Sequence, residues 1–193
     1  MSALTTCPST HAITTGVVMI EVTTRTLSTT EPYRCLGREK SIGTGFRVNR
    51  NWFPHNAKWN TPSTALFLTN WHVVQDCEAR RCRLRTARCV EYCSGRVVHA
   101  VPQLDFAVVA VDISESSDGA DEDDPFCSAS GVVLAEVTEI DLHTGALPPM
   151  QQKIVCCGFP SMLEAYTTSG NLGGRNSGND LSDMYIVDVS VNR

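Results

Sequence analysis

The sequence predicts an all-β fold, a sandwich or a barrel, and three observations carry that reading. Short runs of β-branched and apolar residues recur along the chain. Gly, Pro, Asn and Ser separate them. No long segment spaces its apolar residues at the 3.6-residue period of a helix.

The candidate strands follow in order. Residues 16–24 are short and rich in Val, Ile and Thr, and residues 41–48 carry two glycines. Residues 65–69 form a compact apolar run, and residues 96–101 and 106–111 form two more. Residues 153–157 and 184–189 complete the set. Between the second and third runs, residues 49–63 hold Trp52, Pro54, His55, Trp59 and Pro62 and read as a long loop. Residues 114–125 are acidic and small. They read as a solvated loop or interdomain connector, because they lack the spaced oxygen ligands and the glycine of a calcium loop.

Composition bounds the function. At 193 residues the chain holds one large domain or two small ones, and 42% hydrophobic residues suffice for a core. A net charge of −5 argues against nucleic acid as a partner, which calls for a basic face. No apolar run reaches the 18 or so residues of a membrane-spanning helix, so no membrane partner is expected. Met1-Ser2-Ala3-Leu4-Thr5-Thr6-Cys7 offers no basic segment leading into an apolar one. A secretory signal is therefore not expected, and an intracellular location with reduced thiols is.

The residues that bear chemistry fall in three segments. Leu68-Thr69-Asn70-Trp71-His72-Val73-Val74 runs off an apolar strand. Gly43-Thr44-Gly45-Phe46 precedes it. Leu104-Asp105-Phe106-Ala107-Val108-Val109 follows, with Asp105 the one acid at the mouth of a strongly apolar run. In order and approximate spacing these segments resemble the trypsin-like serine peptidases, particularly the bacterial Deg type and its eukaryotic relatives. The resemblance extends from about Gly16 to the last residue. It implies a two-barrel, all-β, trypsin-like architecture that hydrolyses peptide bonds through an acyl-enzyme, takes protein or peptide substrates and needs no cofactor or metal. It also implies two roles: His72 as general base and acid, and Asp105 as its orienting partner. The zymogen-type mature start Ile-Val-Gly-Gly is not seen, which favours the Deg-like branch.

Those residue types suit that chemistry. A serine hydroxyl is a weak nucleophile at neutral pH and needs a neighbouring base. Imidazole titrates near pH 6.5, so it can take that proton and return it to the leaving amine. A buried carboxylate on the far side of the ring fixes the tautomer. His11, His55, His99 and His143 lack the flanking pattern and read as surface or loop residues.

The third member is harder to place. Ile154-Val155-Cys156-Cys157-Gly158-Phe159-Pro160 resembles the opening of the family's second barrel, and Thr167-Thr168-Ser169-Gly170 resembles a following strand start. Residues 185–193 resemble the strand and turn that lead to Gly-Asn-Ser-Gly-Gly. On that alignment the nucleophile and its oxyanion donors fall past Arg193. Gly170-Asn171-Leu172-Gly173-Gly174 copies the nucleophile loop with leucine for serine. It comes too soon after Gly158 and leaves Val187-Asp188-Val189 without a counterpart. Ser169 and Ser177 read as turn residues.

The expected organisation is therefore a tail over 1–15, a first barrel over 16–112, a connector over 113–150 and a partial second barrel over 151–193. The expected function is that of a serine-type endopeptidase cut short before its serine and inactive as it stands. The alternative is a non-catalytic homologue that binds peptides or proteins through the same cleft. Nine cysteines complete the reading. Cys77, Cys82, Cys89 and Cys93 sit among arginines 80, 81, 83, 85 and 88, which read as a solvated hairpin face. Packed or surface thiols are favoured there over a disulfide or a zinc site, since paired Cys-x₂-Cys knuckles are lacking.

Overall fold

Alternation builds the first strand. In β1 (Val17–Leu27) Val18, Ile20 and Val22 are each at most 1% exposed and face one core, while Val17 and Met19 face the other way. β1 pairs antiparallel with β2 (Cys35–Val48) and, on its other edge, with β4 (Arg81–Thr86). β3 (Thr64–Thr69), β6 (Phe106–Asp112) and β5 (Cys93–Val101) close the order β1-β2-β3-β6-β5-β4 into a barrel. The structure, a computed structural model, describes residues 14–27, 30, 35–89, 92–114, 132–142, 148–159, 165–175 and 185–188. The acidic stretch 115–125 and histidines 11 and 143 lie outside the described residues.

β3 and β6 are apolar on both faces because both are covered. Phe67, Val109 and Val111 point into the barrel with Leu84 and Val22. Leu66, Leu68 and Val108 point outward with Val48, beneath Phe53 and Trp59 of the long loop. That loop is held by Asn60, whose Nδ2 donates to the carbonyls of Arg50, Phe53 and Pro54.

The arginine-rich segment keeps to the expected hairpin but is solvated only in part. It is a strand, β4, with Cys82 and Leu84 inward and Arg81, Arg83 and Arg85 alternating outward, and it forms a hairpin with β5. Arg83 is not solvated. Its side chain is 12% exposed, ion-paired with the buried Glu21 carboxylate and 5.0 Å over the Tyr92 ring. Cys82 and Cys93 lie in the barrel core, where the Cys82 thiol donates to the carbonyl of Gly95. Among the described residues no three His, Cys, Asp or Glu side chains gather as a metal site.

The second sheet comprises β7 (Lys153–Gly158), β8 (Tyr166–Arg175) and β9 (Tyr185–Asp188), all antiparallel. Gly170 to Gly174 lie within β8, so this copy of the nucleophile loop is extended strand. Ser169 pairs across from Val155 and is a strand residue rather than the expected turn residue; Ser177 lies outside the described residues. The described strands thus form one closed barrel and an incomplete second one. The two meet where Phe159, 4% exposed, packs on Val17 and Met19 and its N–H donates to Thr44 Oγ1 at 2.9 Å.

Candidate active site

The barrel topology brings two distant segments to one rim. β3 and β6 are neighbours, with Thr69 paired to Ala107. The chain leaving β3 therefore emerges beside the chain entering β6. On the β3 side, Asn70 keeps an extended backbone and Trp71–Val74 make one helical turn carrying His72. Val74, 1% exposed, anchors the turn in the core. Thr69 Oγ1 donates to the Thr44 carbonyl at 2.9 Å. Gly43 leaves room for the turn, since a Cβ there would stand 2.5 Å from Val73 Cγ1.

On the β6 side, Pro102–Leu104 form a 3₁₀ turn that ends β5. Asp105 closes it in the left-handed region, φ 49° and ψ 48°, its N–H donating to the Pro102 carbonyl at 3.0 Å. Aspartate tolerates this conformation better than most residues, and it turns the side chain towards His72.

The two expected residues meet. His72 Nδ1 lies 2.6 Å from Asp105 Oδ2, and the His72 backbone N–H donates to Asp105 Oδ1 at 2.8 Å. Asn70 Nδ2 adds bonds to Asp105 Oδ2 at 3.1 Å and to the Asp105 carbonyl at 3.3 Å. The backbone N–H of His72 is the main reason the Asp105 carboxyl lies below its ordinary range; the imidazole and Asn70 reinforce it. An ionised carboxylate only accepts, so the neutral ring carries its proton on Nδ1 and presents the lone pair of Nε2 outward. The carboxylate is less enclosed than the expected buried one. Its side chain is 44% exposed, and the His72 side chain 64%. Cys77, three residues past the turn, is no thiolate at neutral pH, because burial pushes its thiol up. His55 and His99 are exposed elsewhere on the barrel.

An imidazole held by a carboxylate with its second nitrogen free can accept and return a proton at a reacting oxygen. The model of the trypsin-like peptidase domain family matches residues 43–192, from the first glycine of the Gly-Thr-Gly-Phe strand onward. The chain belongs to the trypsin-like peptidase family. No curated protein aligns with it to a significant degree.

In this trypsin-like peptidase domain, Asn70 was not singled out by sequence reasoning. Its residue type signals a helix cap, and its use as a donor to Asp105 shows only once β3 and β6 are side by side. Arg47 was also missed. Its guanidinium donates to the carbonyls of Ala135 and Val137 and to Glu139, tying residues 134–140 to the barrel.

Proposed function

We propose that this trypsin-like peptidase domain serves a serine-type endopeptidase in which His72 is the general base and acid and Asp105 its orienting carboxylate. The observation that carries the reading is the 2.6 Å contact between His72 Nδ1 and Asp105 Oδ2, on a side chain that is 64% exposed. In the first step Nε2 takes the proton from a serine hydroxyl as its oxygen bonds to the scissile carbonyl carbon. The imidazolium, steadied by Asp105, then gives that proton to the leaving amine, and an acyl-enzyme remains for water to open. The family's order of segments sets the nucleophile loop after the strand that β9 represents, so the serine is to be sought after Tyr185–Asp188. The resemblance of the glycine strand and the histidine segment to the Deg type supports that branch.

The test is labelling of the protein expressed from its natural gene with a fluorophosphonate, followed by peptide mapping. A single labelled serine after β9, lost in His72→Ala, is the expected result. Absence of labelling, or labelling indifferent to His72, overturns the proposal; the former leaves a non-catalytic peptide-binding homologue.

A further inference from the structure

Asn70 occupies the N-cap position of the turn Trp71–Val74, and asparagine there ordinarily accepts a backbone N–H with its side-chain oxygen. It does not: no cap hydrogen bond forms from its side chain. The N–H that such a cap would take, that of His72, goes to Asp105 Oδ1 from across the rim. The two residues have exchanged tasks. Asp105 caps the turn, and the Asn70 amide reaches back to donate to both the carboxylate and the carbonyl of Asp105.

We infer that Asn70 is a positioning residue whose amide holds Asp105 in its left-handed conformation with Oδ2 on the His72 ring. This rests on the proposed pairing of His72 with Asp105. Three features of the geometry support it. Asp105 is a non-glycine residue at positive φ, a state that persists where neighbours over-determine it. The carbonyl that Asn70 reaches belongs to that residue, so the bond acts on its backbone. The second bond ends on Oδ2, the oxygen that faces Nδ1, so one amide fixes both the backbone and the carboxylate that meets the ring. Only a side chain with a donor can do this. Serine and aspartate are as good as asparagine at an N-cap, but serine does not reach and aspartate has no hydrogen to give.

That difference separates the inference from a plain capping role. Proton NMR of the full chain would follow the low-field Nδ1–H resonance of His72 in the wild type, Asp105→Asn, Asn70→Ser and Asn70→Asp, alongside urea unfolding. The expected result is a resonance in the wild type, none in Asp105→Asn, and exchange with water at least about tenfold faster in both Asn70 variants, the change that loss of one hydrogen bond to a charged group carries. Unfolding should stay cooperative in both Asn70 variants, because residue 70 is exposed and neither replacement touches the barrel core. A resonance unchanged in Asn70→Ser and Asn70→Asp overturns the inference while leaving the His72–Asp105 pairing intact. A resonance unchanged in Asp105→Asn overturns the pairing itself. Loss of cooperative unfolding in both Asn70 variants would place Asn70 in the folding of the barrel and likewise overturn a role exerted through Asp105.

Discussion

Asp105 holds His72 at two points, one oxygen on the backbone N–H at 2.8 Å and the other on ring Nδ1 at 2.6 Å. The first bond fixes where the residue starts, and the second fixes how the ring is turned. A carboxylate bonded to the ring alone would let the turn Trp71–Val74 shift against β6. Bonded to both, it makes the two chain segments one rigid unit at the barrel rim.

The role of Asp105 gives the first expected outcome. Asparagine in its place keeps the shape but offers a donor, so the ring adopts the other tautomer and Nε2 loses its lone pair to a proton. On the proposed mechanism Asp105→Asn should lower kcat by about 10⁴ with KM little changed, the scale measured for this change in a relative. Steady-state kinetics on a peptide substrate checks it, and a loss below tenfold would remove Asp105 from the chemistry.

Stability should follow the same carboxyl. Its pKa is lowered in the folded protein, first by the His72 N–H, so the ionised form favours folding. That contribution is fully present above the ordinary carboxyl value, about 3.9, and is lost as pH falls through the lower folded value. The gap in urea midpoint between wild type and Asp105→Asn should therefore narrow as pH falls from about 4 towards 2. A gap that widens over that acid range would contradict the assignment.

Much of the barrel was legible because β-branched, apolar runs leave few alternatives, and the histidine and aspartate could be picked out because each follows or leads such a run. β4 was not. Its Arg-Cys-Arg-Leu-Arg-Thr has the alternation of a strand, but the clustered arginines drew the reading to a solvated hairpin face; what decides is that Glu21, paired opposite, neutralises Arg83. The extended form of Gly170 to Gly174 was equally hidden, since glycines give no periodicity and only pairing with β7 and β9 fixes them. Asn70 and Arg47 act on partners more than 30 residues away, a relation no local pattern carries.

Packing in the barrel makes glycine positions unequal. A Cβ on Gly95 would stand 2.3 Å from Leu84 Cδ1 and 2.9 Å from Val109 Cγ1, both in the core. Gly95→Ala should cost roughly 1–3 kcal/mol through overpacking. A Cβ on Gly37 meets nothing within 4 Å, so Gly37→Ala should stay within about 0.5 kcal/mol of the wild type. Chemical denaturation of the two variants side by side checks the contrast, and equal effects would refute the packing argument.

Arg47 links the barrel to the segment that leads on to the second sheet. Its Nη1 donates to the carbonyls of Ala135 and, at 2.9 Å, Val137, and its Nη2 pairs with Glu139 at 3.2 Å, which Asn49 also holds. The guanidinium is largely buried, its side chain 14% exposed, so these bonds form where water competes poorly. Methionine fills similar volume but donates nothing, and it leaves the two carbonyls without their charged partner. Arg47→Met should cost about 2–4 kcal/mol, less than the sum of bonds to a charged group because the segment can partly rehydrate. The loss should be local. Val137, Thr138 and Ile140 donate their N–H groups to the carbonyls of Leu134, Thr15 and Arg47, and their hydrogen exchange should quicken far more than that of Ile20 in β1. Uniform acceleration at all four amides would mean that Arg47 supports the whole barrel rather than clasping this segment to it.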